Sequence, residues 1–387
     1  MDYALAKDQE MIKKSAKEFF QKECPKDKVR ELKEDPKGYD QKIWKKMIKL
    51  GYQGLVIPEK YGGLEGEFLE LMVFMEELGR NIMPSPFFST VIDCVLPILE
   101  YGTEKQKETH LPGIAEQGDI WTLAQSEQTA DYEADDIKLS ATAKGNMFVL
   151  NGAKLFVPYA SVAGNLLVVA RTTTADNAED GITLFLVDAK SPGISMESMP
   201  TAAHDNRSAV TFENVKVPAE NILGEKDKGW EIVDNITQHS AVLKAAEMSG
   251  GAQAALDLVV NYTKERKQFS KSLGTFQAIQ HRLVDLLTGV EGLKYLVHKA
   301  AWNINNGTPS KLLNSVVKAK ANSVYHNVCY HGIVMHGAIG WTEEMDIGLY
   351  HIRTRSMNSD AGGTDFHLER IARELETRTP DFKTVFS

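Results

Sequence analysis

The sequence predicts an α+β protein in three parts: helical, then β-rich, then helical again. Up to about Asp119, apolar residues recur at three- and four-residue steps. From Ile120 to about Gly224, short β-branched and aromatic runs alternate with Asn-Gly, Asp-Gly and Pro-Gly signals. From Trp230 onward helical periodicity returns and persists. The boundaries fall at 1–119, 120–225 and 226–387.

In the first part, Leu5, Met11, Ile12, Ala16 and Phe19–Phe20 mark a helix over Tyr3–Phe20, with Lys, Asp and Glu between them. Pro25, Gly38, Pro58–Gly63 and Pro84–Pro86 break the remainder into several helices. Phe68–Leu78 is apolar enough for a buried one. The middle part offers strands at Lys138–Thr142, Met147–Leu150, Leu166–Arg171, Ile182–Val187 and Val210–Phe212. Asn151–Gly152, Asp180–Gly181 and Pro192–Gly193 act as turn signals beside them. Short strands with no long helix between them indicate an antiparallel barrel or sandwich. The last part opens with one long helix through Ile232, Ile236, Leu243, Ala246, Ala252, Leu256 and Val259–Val260. Further helices are predicted within Phe276–Ile304, Lys311–Gly332 and Phe366–Arg378.

With 387 residues, 43% hydrophobic and 25% charged, the chain is long enough for two or three packed subdomains. A net charge of −9 argues against nucleic acid or an anionic membrane as partner. Cys24, Cys94 and Cys329 form no CxxC pair, so neither a disulfide framework nor a thiolate metal site is expected. His326, His331 and His336 stand five apart, which puts them on different helical faces and predicts no metal site. Met335 and Met345 read as packing residues. No apolar run reaches membrane-spanning length, and MDYALAKDQEMIKK is too charged for a signal peptide. A cytoplasmic protein is expected. GxGxxG after a strand, a P-loop, HExxH and GxSxG are all missing.

Several strings in order resemble the acyl-CoA dehydrogenase family of flavoproteins. They are Gly54–Gly63 (GLVIPEKYGG), Met75–Arg80, Tyr101–Gln106, Leu111–Glu116, Val149–Pro158, Tyr262–Phe269, Thr275–His281 and His336–Trp341 running into Glu344–Arg355. The resemblance spans essentially the whole chain. It implies an N-terminal all-α domain, a middle antiparallel β-barrel-like domain and a C-terminal four-helix bundle. It also implies FAD, an acyl-CoA substrate, an electron-transferring flavoprotein as acceptor, and a homo- or heterotetramer. Carried over by position, Arg266 would meet the FAD diphosphate as a charge-assisted contact. Gln268, Phe269 and Gln277 would lie beside the cofactor, and Gly337 and Gly340 would let backbone approach the cofactor of a neighbouring subunit. Ser126 offers a hydroxyl to the flavin edge, Phe156 a ring to stack on it, and Thr364 falls in the family's Tyr-Glu-Gly-Thr string.

The departures bear on function. Where that string carries the usual catalytic glutamate, this chain has Gly362, within Ala361–Thr364. The minority position on the long helix is Ser240. Two turns further on, Glu247 stands on a stripe with Leu243, Gly250 and Gly251, where burial would raise a carboxyl pKa. Glu247 is the favoured base; a structural carboxylate paired with a cation is the competing reading. Asp360 and Asp93 are alternatives. The loop Asp131–Asp136 is acidic, which disfavours a phosphate nearby. Phe156-Val157-Pro158 and His336–Trp341 resemble a branch acting on steroid side chains, dicarboxylates and alicyclic acids. The resemblance therefore implies an FAD-dependent dehydrogenase of a bulky or cyclic acyl-CoA, in fatty or alicyclic acid degradation. The alternatives are a half-site subunit completing a paralogous chain, and a repurposed flavoprotein of the same fold.

Overall fold

The computed structural model describes residues 4–377. Tyr3 and Arg378, at the ends of two predicted helices, lie outside them. In chain order the elements are α1 (Lys7–Glu23), α2 (Lys26–Lys33), α3 (Gln41–Lys49), α4 (Phe68–Asn81), α5 (Leu96–Tyr101) and α6 (Glu104–Pro112). Then come β1 (Trp121–Ala124), β2 (Ser140–Lys144), β3 (Met147–Pro158), β4 (Asn165–Arg171), β5 (Ile182–Asp188), β6 (Ile194–Ser198), β7 (Arg207–Pro218) and β8 (Ile222–Leu223). The remainder is α7 (Gly229–Glu265), a small hairpin β9 (Lys267–Gln268) and β10 (Lys271–Ser272), then α8 (Gln277–Asn305), α9 (Lys311–His336), α10 (Asp346–Ser359) and α11 (Thr364–Thr377). Packing divides the chain into two compact units. One comprises 30–67 and 84–240, the other 1–29, 68–83 and 241–387.

The β-containing unit is built on one sheet of order β6-β7-β3-β2-β4-β5-β8. Its long ladders, β3–β7 and β4–β5, are antiparallel as predicted, but β1 runs parallel to β4, Trp121 opposite Asn165. β4 is buried on both faces, which is why Leu166–Ala170 is unbroken apolar sequence. Leu167 and Val169 face a cluster with Ile98, Leu111, Ile232 and Ile236, while Leu166 and Val168 face Phe148, Phe185, Val210 and Phe212. Asn151–Gly152 is not a hairpin turn. It is a bulge within β3, where the register shifts between Leu150 and Gly152 and Asn151 Oδ1 accepts the Asn214 N–H. The turn that reverses the chain from β2 into β3 is Gly145–Asn146, with Gly145 at φ 64°.

In the helical unit, α7 and α4 cross with their backbones in contact. A Cβ on Gly79 would collide with the Glu247 carbonyl, and one on Gly250 with the Glu76 carbonyl. Only glycine at both positions permits that approach. The sequence reading missed α10. Five of its six buried residues, Ile347, Tyr350, His351, Thr354 and Met357, share one face, but His351 and Thr354 are polar and Leu349 lies off that face, so no clean apolar stripe shows. Cys94 and Cys329, one in each unit, are free and fully buried. Burial raises both thiols well above their ordinary pKa.

Candidate active site

The helical unit displays a cationic and aromatic edge just after α7. Arg266 closes that helix through its N–H on the Tyr262 carbonyl, 2.8 Å, and its carbonyl accepts from Leu273 N–H at 2.9 Å. Its guanidinium is exposed and forms no ion pair among the described residues. Between β9 and β10 the turn is Phe269–Ser270, with φ of 52° and 66°. Two successive left-handed residues define the tight hairpin turn that usually recruits Asn-Gly. Here the geometry is spent on thrusting Phe269 outward, 87% exposed. Gln268 and Gln277 are exposed beside it in sequence.

Gly337 ends α9 at φ 71°, and a Cβ there would meet nothing within 4 Å. Gly340 is buried, with Ile333 O 2.9 Å from where its Cβ would stand. Tyr262 stacks on His336 at 4.0 Å and donates to its carbonyl, fixing the start of this glycine segment against α7.

The candidate base region lies in the same unit. Glu247 is 2% exposed and accepts from Lys244 Nζ at 2.7 Å, while Arg353 Nη2 stands 3.8 Å from its other oxygen. Lys244 also reaches Asp360 Oδ2 at 3.5 Å, so two of the three proposed bases share one ammonium. Gly362 is buried at φ 96°, and a Cβ on it would run into the Phe366 ring, with His367 Nε2 at 2.9 Å. Position 362 is therefore closed to a side chain, beyond merely lacking one. His367 donates Nε2–H to the Ala361 carbonyl at 2.9 Å. Burial, then the nearby Lys318 charge, pushes its pKa down to about 3, so the ring is neutral. Thr364 Oγ1 accepts from Asn322 Nδ2 at 3.2 Å.

In the β-containing unit the structure brings Ser126 and Phe156 together: Leu155 N–H donates to the Ser126 carbonyl at 2.8 Å. Phe156 is 45% exposed and left-handed at φ 55°. The residues flanking Ser126 are clasped by Lys154, which has no exposed surface and donates to Gln125 O at 2.9 Å and Glu127 Oε1 at 2.7 Å. Glu127 further accepts Lys138 and Leu139 N–H groups, each at 3.0 Å. Burial draws Lys154 down to about 8, against the pull of Glu127. Also in this unit, Asp93 lies on a wide, π-helical turn (Phe88–Val95) and accepts the Ser240 hydroxyl at 2.7 Å.

Sequence reasoning missed Lys154, Glu127, Lys244 and Lys318. The available signal was a lysine at an inward position, and the β3 bulge hides that parity for Lys154. As a test of fit, taken unit by unit, the helical unit's groups suit an anion and those of the β-containing unit suit an aromatic ring. A free guanidinium and an open glycine segment stand on one unit; a hydroxyl and an exposed ring on strained backbone stand on the other. The resemblance names the same residues for FAD.

Family models for the acyl-CoA dehydrogenase N-terminal, middle and C-terminal domains match residues 6–118, 122–215 and 227–376. The chain is 30% identical to the acryloyl-CoA reductase (NADH) of Anaerotignum propionicum, over 98% of this chain and 97% of that protein. It is 32% identical to the CarC subunit of the caffeyl-CoA reductase-Etf complex of Acetobacterium woodii, over 87% of this chain and 90% of the other. The butyryl-CoA dehydrogenase structure from Megasphaera elsdenii superposes with a TM-score of 0.90 at 29% identity, covering 97% of this chain and 100% of that one. The chain belongs to the acyl-CoA dehydrogenase family, FAD-dependent oxidoreductases that act on the CH–CH bond of acyl-CoA.

Proposed function

We propose that the protein interconverts a bulky or cyclic acyl-CoA and its α,β-unsaturated form, with Asp93 as the base for the α-proton. The hydrogen bond from Ser240 to Asp93 carries this reading. It sets a carboxylate beside the position on the long helix where a minority of the family carries its glutamate. Gly362 accepts no proton and has no room for a side chain that could. Glu247, favoured by the sequence, meets Lys244 at one oxygen and Arg353 at the other. Using it as a base would break a buried ion pair, which costs about 3–5 kcal/mol. Asp360 shares the same lysine.

Asp93 would take the α-proton and Ser240 would orient its lone pairs. FAD, when bound, accepts or returns the β-hydrogen as hydride. Arg266, Gln268, Phe269, Gln277, Ser126, Phe156, Gly337, Gly340 and Thr364 are the residues assigned to hold it. The reductase names of two relatives support operation in the reducing direction as well. The Etf complex of one supports an electron-transferring flavoprotein as partner. The reading keeps a cytoplasmic tetramer working in three segments, 1–119, 120–225 and 226–387; no described helix is long and apolar enough to cross a membrane.

The test begins with the absorbance of the chain purified alone. One flavin per chain supports a complete site. Asp93→Asn should then lose about 10²–10⁴ in turnover with flavin retained, whereas Glu247→Gln and Asp360→Asn keep most of it if they stay folded. Full activity in Asp93→Asn would reject the assignment. A colourless chain would favour the half-site subunit of a heteromer, the reading that the closed position at Gly362 supports.

A further inference from the structure

The turn between α10 and α11 holds Gly362 and leads into Thr364, the first residue of α11, and it folds around a buried side chain from another helix. Lys318, on α9, has no exposed surface. The three N–H bonds of its Nζ are shared among four acceptors, Asn322 Oδ1 at 2.7 Å, Met357 O at 3.2 Å, Asn358 O at 3.3 Å and Gly362 O at 3.2 Å. Met357 and Asn358 lie in the last turn of α10, whose carbonyls have no further helical N–H to bond. The amide of Asn322, held by the same ammonium, donates to Asn358 O and to Thr364 Oγ1, at 3.4 and 3.2 Å. One lysine thus ties the end of α10, the turn and the start of α11 to α9.

We propose that Lys318 is the positioning residue of this turn, fixing through Asn322 the placement of Thr364 and the closed conformation at Gly362. The inference rests on the family reading for the role of Thr364, whereas the geometry of the turn is observed directly. The charged and titratable groups that act on the ammonium are Asp360 on the turn, Lys244 on α7 and His367 on α11; Lys244 is itself paired with Glu247, which Arg353 on α10 also approaches. Burial is the main cause that lowers the pKa of Lys318, to about 7, with Asp360 opposing and Lys244 assisting.

The sign follows from linkage. In the opened turn Lys318 is solvated and holds its proton to about pH 10.4. In the closed turn it gives the proton up near 7. Closure is therefore independent of pH below about 7 and strengthens above it, by up to about tenfold per pH unit.

The experiment is amide hydrogen exchange of residues 357–364 in the flavin-free protein, corrected for intrinsic rates, from pH 6 to 9, for wild type and Lys318→Met. Wild type should show an opening constant flat to about pH 7 and falling above it. Lys318→Met should show at least about tenfold more opening at pH 8 and a flat profile, with α8 unchanged. Equal protection in the two proteins, or a flat wild-type profile, overturns the proposal. Should Lys318→Met fail to fold, the wild-type profile and Asn322→Ala decide. That variant must lose protection at 364 and, with FAD added, show a shifted visible flavin band. A protein that binds no FAD would sink the functional reading while leaving the exchange test intact.

Discussion

Lys154 in the β-containing unit and Lys318 in the helical unit are both wholly buried, and each holds a loop that bears residues assigned to the cofactor. Their partners differ. Lys154 meets a carboxylate at 2.7 Å that is itself bonded to two backbone N–H groups. Lys318 meets only uncharged oxygens at hydrogen-bonding distance, its nearest carboxylate acting through space. A directly paired cation keeps a counter-charge in contact, although burial lowers its pKa as well. One solvated by carbonyls has no counter-charge in contact to retain its proton, and its pKa falls further.

The largest effect should come from removing the paired lysine. Lys154→Met leaves Glu127 buried without its counter-ion and should cost about 3–5 kcal/mol in urea unfolding. Lys318→Met strands only neutral acceptors and should cost clearly less; equal losses would erase the distinction. Next comes the turn that Lys318 holds. Gly362→Glu should destabilise by about 1–3 kcal/mol and raise turnover no further, because the position combines φ 96° with the Phe366 ring against the new Cβ. A gain of activity would mean that the turn opens easily.

A smaller effect is the pH slope of global stability. Both lysines have lowered pKa values in the folded state, so their contribution to stability is least below the folded value and grows as pH rises toward the unfolded one. For Lys318 that window opens near 7, for Lys154 near 8. Wild type should gain about 1–2 kcal/mol on Lys318→Met between pH 7 and 8.5, read as a growing gap between their urea midpoints. The smallest effect is at the hairpin: Ser270→Gly should stabilise by about 0.5–1 kcal/mol by relieving φ 66°, visible as a rise of a few degrees at most in thermal unfolding.

The order of helical and β-rich stretches was legible because it rests on periodicity, which local sequence carries. Asn151–Gly152 misled because the same dipeptide serves a bulge when the strand continues through it. That bulge, with the second register shift before Val157, is also why Lys154 could not be seen as inward-facing. Lys318 stands in a Lys-Ala-Lys run with Lys320, one buried and one exposed, and only helix phase separates them. The cofactor residues were named from motifs, whereas the pairing of Glu247 with Lys244 depended on side-chain rotamers that no motif encodes.

Cys94 and Cys329 give each compact unit its own silent reporter. A thiol with no exposed surface and a raised pKa reacts with an aromatic disulfide reagent only when its surroundings come apart. Cys24 is a third buried thiol, in the helical unit with Cys329, so the labelling is read residue by residue; the rates of Cys94 and Cys329 then time the opening of the two units separately, without an introduced probe.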